Sequence, residues 1–137
     1  MKKFLDLGLQ PLANKYLTKK DLMNKKEEQF YHLEVGFDNK TKLVSILNKV
    51  PSQKMFDNSY PYRSSMSKTM IESFKKLSKK ITKQYKSKLI LEIGSNDGSL
   101  IKNFNKKNVI CVEPCKNLAI ITKNKGYKTY DDYWNMK

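Results

Sequence analysis

Two acidic residues and a glycine-bracketed loop are the part of this chain best suited to chemistry. Lys88 to Gly98 reads K-L-I-L-E-I-G-S-N-D-G, and Glu113 closes the next apolar run. Gly94 and Gly98 bracket Ser95, Asn96 and Asp97. Because glycine lacks a Cβ, such a loop can bring backbone N–H groups and a helix N-terminus up to a ligand. A carboxylate at the end of the next strand can accept hydrogen bonds from both hydroxyls of a ribose, as acidic residues about 20 positions on do in dinucleotide sites. Glu113 lies nineteen positions beyond Gly94 (113 minus 94), so the spacing fits a nucleoside-containing cofactor. A nicotinamide dinucleotide site usually reads G-x-G-x-x-G, its middle glycine letting the main chain approach a pyrophosphate. Asn96 occupies that position here, which argues against a nicotinamide oxidoreductase.

The elements that must position these groups follow from periodicity. Leu89, Ile90, Leu91 and Ile93 form a nearly unbroken apolar run, the pattern of a strand buried on both faces of a parallel sheet. Ser99 to Lys106, with Leu100, Ile101 and Phe104, has helical spacing. Val109 to Val112 is a second strand, Asn117 to Lys125 a second helix, and Y-K-T-Y after Gly126 opens a third strand. The unit is therefore βαβ. Upstream, Met70, Phe74, Leu77, Ile81 and Tyr85 recur three or four apart and predict an amphipathic helix from Ser67 whose lysine face is solvated.

Nearer the start, Phe4 to Leu17 reads as an extended segment and loop, and Thr18 to Lys26 as a short helical turn capped by Thr18. Tyr31, Leu33, Val35 and Phe37 alternate with polar residues or glycine, Asp38-Asn39 supplies a turn, and Leu43 to Leu47 is apolar again, which is a β-hairpin. His32, the one histidine, reads as a surface strand residue. Pro51 to Ser67 has neither period but concentrates aromatic residues, hydroxyls and Arg63, the only arginine. It reads equally as a functional loop or as a linker pinned by Phe56, Tyr60 and Tyr62.

The 137 residues amount to one domain, or a small domain and part of another. A formal net charge of +15 invites a nucleic-acid reading. Nearly all of it is lysine, however, whereas bidentate grip on phosphates and guanines favours arginine. No specific nucleic-acid partner is expected, only nonspecific attraction to polyanions. No apolar run approaches the about eighteen residues that span a bilayer, and Asp6 and Pro11 interrupt any signal-peptide core. The expected location is cytoplasmic. Cys111 and Cys115 read as a strand thiol and a helix-start thiol of a reducing compartment, and two thiols alone do not make a zinc site.

Glu92, two residues before Gly94, completes an E-x-G-x-x-x-G pattern that resembles motif I of class I S-adenosylmethionine-dependent methyltransferases. Four further segments, in order with this one, resemble the sugar C-methyltransferase family: L-D-L-G-L-Q-P-L-A-N (Leu5 to Asn14), Val50 to Phe56, Y-P-Y-R-S-S-M-S (Tyr60 to Ser67) and V-E-P-C-K-N-L-A (Val112 to Ala119). Members carry an N-terminal zinc-binding module and act on nucleotide-linked keto-sugars. The resemblance implies an α/β chain. Residues 1–50 would form a β-hairpin module, 51–87 an aromatic and serine-rich loop with a linking helix, and 88–137 the first half of a Rossmann-like sheet that binds S-adenosylmethionine. It assigns Gly94, Ser95, Asn96 and Gly98 to the methionine end of that cofactor, Glu92 to its ammonium and Glu113 to the ribose, with Tyr60, Tyr62, Ser64 and Ser65 over the cofactor or near the substrate.

The chain departs from the family twice. The second C-x-x-C pair of the zinc module falls on Asp38 and Thr41, so no structural zinc is expected. The strands and proton-abstracting groups that follow the third strand in the family are not found, and no residue can be assigned as the base that methyl transfer to carbon requires. The expectation is a truncated or split methyltransferase, inactive alone, with a second polypeptide completing its sheet. The alternatives are a non-catalytic module that binds S-adenosylmethionine or a partner, and a basic nucleic-acid-binding protein.

Overall fold

The computed structural model describes residues 1–24, 28–86 and 88–135, which fall into two compact units, Met1–Met55 and Phe56–Lys137. Lys25 and Lys26, which close the turn expected after Thr18, lie outside the described residues, as do Ser87, Met136 and Lys137 at the ends of the expected segments.

The first unit is an antiparallel sheet in the order β1 (Lys2–Pro11), β2 (Phe30–Phe37), β3 (Val44–Ile46), with short helices α1 (Lys19–Met23) and α2 (Ser52–Met55). The alternation read in Tyr31 to Phe37 forms β2, which pairs with β1 on one side and β3 on the other. Thr18 caps α1 as expected. Its hydroxyl oxygen accepts the Asp21 N–H at 3.2 Å while its own N–H donates to the Asp21 carboxylate at 2.9 Å, a reciprocal capping box. The periodless stretch from Pro51 contains α2 and, in the second unit, a 3₁₀ turn at Ser64–Met66.

The second unit opens with α3 (Lys68–Gln84), whose first turn is capped by the Ser67 hydroxyl at 3.2 Å from the Met70 N–H. A parallel sheet follows in the order β4 (Ile90–Ile93), β5 (Val109–Val112), β6 (Lys128–Tyr130), with α4 (Lys116–Asn124) between β5 and β6. The fold is thus mixed α/β, an antiparallel hairpin sheet followed by a helix and a Rossmann-like parallel half-sheet. No helix among the described residues is long and apolar enough to cross a membrane.

Two expectations for this sheet are corrected. The β4–β5 connection is two 3₁₀ turns, Ile101–Asn103 and Lys106–Asn108, rather than a helix over Ser99 to Lys106. Asparagine side chains compete for the backbone there. The Asn103 amide donates to the carbonyls of Ser99 and Leu100, and Asn105 Oδ1 takes the Lys107 N–H and starts a new turn. Nor is β4 buried on both faces. Parallel register places Ile90 and Glu92 beside Val109 and Cys111, on the face that packs Ile101, Phe104 and Tyr127. Thr122 of α4 bonds Thr129 on that face too, so both connections cover the same side. Leu91 and Ile93 point to the other side and are 41% and 55% exposed.

Both loop glycines have left-handed backbones, φ +74° at Gly94 and +81° at Gly98, but their surroundings differ. A Cβ on Gly94 meets nothing within 4 Å, while one on Gly98 lies 2.9 Å from Thr122 Cγ2 and 3.2 Å from Ile101 Cδ1. Gly98 therefore serves the packing of α4 and the first 3₁₀ turn, whereas Gly94 faces open space. Gly94→Ala is expected to cost about 1 kcal/mol through backbone strain alone. Gly98→Ala should cost about 2–4 kcal/mol because overpacking adds to the strain. Urea denaturation of both variants checks the difference.

Candidate functional site

Strand β4 carries Glu92 and runs into the loop at Gly94, while β5 ends at Glu113. The 4%-exposed Glu113 carboxylate accepts the Asn96 N–H at 2.7 Å on one oxygen and the Cys115 N–H at 2.9 Å on the other. The sequence-predicted acid is therefore at the loop, and it grips the loop's main chain as well as the start of α4. Its own N–H donates to the carbonyl of Tyr130 at 2.9 Å, tying in β6.

The aromatic and serine-rich segment converges on the same loop. Asn96, at φ +49°, accepts the Ser64 N–H at 2.9 Å on Oδ1 and donates from Nδ2 to the Tyr62 carbonyl at 3.2 Å. Asp97 accepts the Ser65 N–H at 3.2 Å, and Asn117 of α4 donates to the Tyr60 carbonyl at 2.8 Å. Tyr62, Ser64 and Ser65 are thus brought against the glycine loop, and Tyr60 against α4, through their backbones.

One expectation about the loop is overturned. Its N–H groups do not point outward to receive an anion. Those of Gly94 and Ser95 donate to the Val112 carbonyl at 2.8 and 3.2 Å, that of Asn96 to Glu113, that of Asp97 to Asn96 Oδ1 at 2.9 Å, and that of Gly98 to the Ser95 carbonyl at 2.9 Å. With all five engaged, the loop has no ready cradle for a pyrophosphate.

What the site leaves open is oxygen. Among the described residues, Glu92 Oε2, Ser95 Oγ and Asn117 Oδ1 are buried without a standard hydrogen-bond partner. Only the Cys111 thiol, a weak partner, interacts with the Ser95 hydroxyl. Buried polar atoms in folded proteins are nearly always satisfied, so Glu92 Oε2 and Asn117 Oδ1, with Ser95 Oγ met only by a thiol, are oxygens that an added hydrogen-bonding group could satisfy. Burial, followed by the neighbouring charges of Glu113 and Asp97, pushes the Glu92 carboxyl from its ordinary 4.5 up to about 7. Burial also acts to raise Asp97, but hydrogen bonds from Ser65 and Ser99, then the Lys125 ammonium, outweigh it and hold that carboxyl below its usual range. The thiols of Cys111 and Cys115 are raised by burial, Cys115 to about 12 with the further effect of Glu113's charge, so both are protonated and inert at neutral pH.

Asn117 and Asp97 join the site without a role that the sequence assigns to them. The Asp97-x-Ser99 spacing was the available sign for Asp97, since a hydroxyl two residues on reaches a carboxylate, here at 2.6 Å. Nothing local marks Asn117, whose partner Tyr60 lies 57 residues away.

Residues 1–56 match the family model Methyltransf_13, described as "Putative zinc binding domain", which places a methyltransferase-associated module at the N-terminus. No curated protein matches the chain. The donor set does not fit zinc, because residues 1–56 contain no cysteine and only His32 as an imidazole. Among the described residues no three His, Cys, Asp or Glu side chains cluster as a metal site.

A glutamate with a raised pKa destabilises the fold wherever it must ionise. In the unfolded chain Glu92 loses its proton near 4.5, in the folded chain near 7, so the penalty grows between those values and is complete above them. Glu92→Gln should therefore be more stable than the parent by about 1–2 kcal/mol at pH 8, and the gain should vanish towards pH 4.5. Denaturation midpoints of the two proteins across that range measure it.

Proposed function

We propose that this chain binds S-adenosylmethionine at the loop end of β4 and β5, as the cofactor-holding part of a methyltransferase whose substrate is a nucleotide-linked keto-sugar. The observation that carries the reading is the buried, unpartnered Glu92 Oε2 beside the open approach at Gly94. An ionised carboxylate in that position, with Asp97 and Glu113 near enough to raise its pKa, favours a cation. S-adenosylmethionine offers an ammonium and a sulfonium, and when bound it supplies an activated methyl group. Glu92 pairs with the ammonium, whose charge returns the carboxyl to its ionised form and removes the penalty of burial. Ser95 Oγ and Asn117 Oδ1 gain partners from the polar groups of the ligand.

Glu113 keeps lone pairs for ribose hydroxyls after accepting its two backbone N–H groups, because each carboxylate oxygen accepts more than one hydrogen bond. Tyr60, Tyr62, Ser64 and Ser65, held nearby through their backbones, lie over the cofactor or near the substrate. A nicotinamide dinucleotide suits the site poorly, since its pyrophosphate needs the N–H groups that the loop uses internally. The five sequence segments, Leu5 to Asn14 through Val112 to Ala119, support the keto-sugar by resemblance, and the match over residues 1–56 supports only the methyltransferase-related part of the reading.

Calorimetric titration tests the cofactor reading. S-adenosylmethionine should bind at micromolar concentration at pH 8, NADH should give no heat, and Glu92→Gln should weaken binding at least tenfold, about 1.4 kcal/mol. Affinity in the parent should fall as pH drops through about 7, where Glu92 takes up its proton, and stay level in the Gln variant. Equal binding of NADH, or no binding by a folded sample, would sink the reading.

A further inference from the structure

The family match points to a metal-binding module, yet the residues present do not make a metal site. We propose that this module folds without a metal ion, and that the Asp38 carboxylate organises from within the turn that a bound metal would otherwise fix. Asp38 and Thr41 occupy the positions where the resemblance expects the second cysteine pair. The Lys40 and Thr41 N–H groups both donate to Asp38 Oδ1, at 2.8 and 3.1 Å. Around this pair the main chain closes the hairpin, with the Lys42 N–H on the Asp38 carbonyl at 2.8 Å and the Asp38 N–H on the Leu43 carbonyl at 2.9 Å. Lys42 completes the reversal at φ +61°. The Thr41 backbone N–H, and after it the Lys40 one, hold the Asp38 carboxyl below its ordinary range, as an anion that accepts two bonds should be held.

An anionic oxygen that gathers N–H groups in a turn needs no cation to complete it, whereas a thiolate pair without its metal would be left as two separate thiols. A turn of this kind is weaker than a bound zinc, so the strands need other ties. A polar chain crosses all three. Asn48, just after β3, donates to Glu34 Oε2 at 2.5 Å, and Lys3 of β1 bridges Glu34 Oε1 at 2.6 Å and Asp6 Oδ2 at 3.0 Å. The Gly8 N–H donates to Asp6 Oδ1 at 2.9 Å, where the β1–β2 register shifts. These groups are exposed, and each tie alone is weak. Together they join the strands of the sheet.

Amide exchange followed by NMR on the full chain tests the proposal, with Asp38→Ala and Asp38→Asn as variants and zinc chloride as the metal probe. In chelator-treated buffer the parent should show protected amides in β1, β2 and β3 and at Lys40 and Thr41. One equivalent of zinc should leave the resonances from Asp38 to Leu43 unmoved. Asp38→Ala should lose the protection of Lys40 and Thr41, and Asp38→Asn, whose side-chain oxygen still accepts, should keep most of it. Zinc-dependent shifts in that turn, a module that is unfolded in chelator, or unchanged protection in Asp38→Ala would each overturn it.

Discussion

One carboxylate holds the parallel half of the molecule in register at the end where its loops meet. Glu113 ends β5, and its two oxygens take the N–H of Asn96 in the preceding loop and of Cys115 at the cap of α4. Burying this group to 4% exposure costs desolvation, which two charge-assisted backbone bonds offset. The consequence reaches further than the carboxylate. With its N–H held, Asn96 stays in the left-handed region and turns its carboxamide towards residues 62 and 64. The placement of the aromatic segment is thus downstream of the same contact.

That contact also decides the electrostatic character of the site. A glycine loop with spare N–H groups attracts anions, but this loop spends all five internally, on Val112, Glu113, Asn96 and Ser95. What remains to face a ligand is carboxylate and amide or hydroxyl oxygen. The proposed site therefore suits a cationic group inside a chain whose formal charge is +15. The two do not conflict, because screening confines exposed lysines to about 8 Å at physiological salt, whereas Glu92 acts on a group in contact with it. Net charge describes the surface, and the chemistry follows from a few buried oxygens.

Local signals in the sequence identified what local forces decide. Thr18 and Ser67 cap the helices that they precede, Tyr31 to Phe37 alternates into β2, and the runs at Ile90 and Val109 are strands. Expectations failed where a side chain or a neighbouring layer intervenes. Leu100, Ile101 and Phe104 have helical spacing, but Asn103 and Asn105 redirect the backbone bonds into 3₁₀ turns. Leu91 and Ile93 are as apolar as a doubly covered strand requires, yet apolarity cannot specify on which face the connections pass. For the site, the acids and glycines were legible as types at a spacing. The fate of each loop N–H, and the convergence of Tyr60 on Asn117, are tertiary facts without a one-dimensional trace.

The two units are ordered by different means. The second has a packed core of Ile101, Val109, Cys111 and Tyr127, against which Gly98 must have no side chain. In the first, Gly36 is the only buried residue among those described, so strand pairing and polar ties carry the order. The matched segment, residues 1–56, is the one without the core and without the metal ligands that would compensate for it. Within it, Asp38 satisfies the Lys40 and Thr41 N–H groups of its own turn. The other unit holds Glu92 Oε2, buried without a partner among the described residues, an oxygen that is costly to retain unless something binds to it.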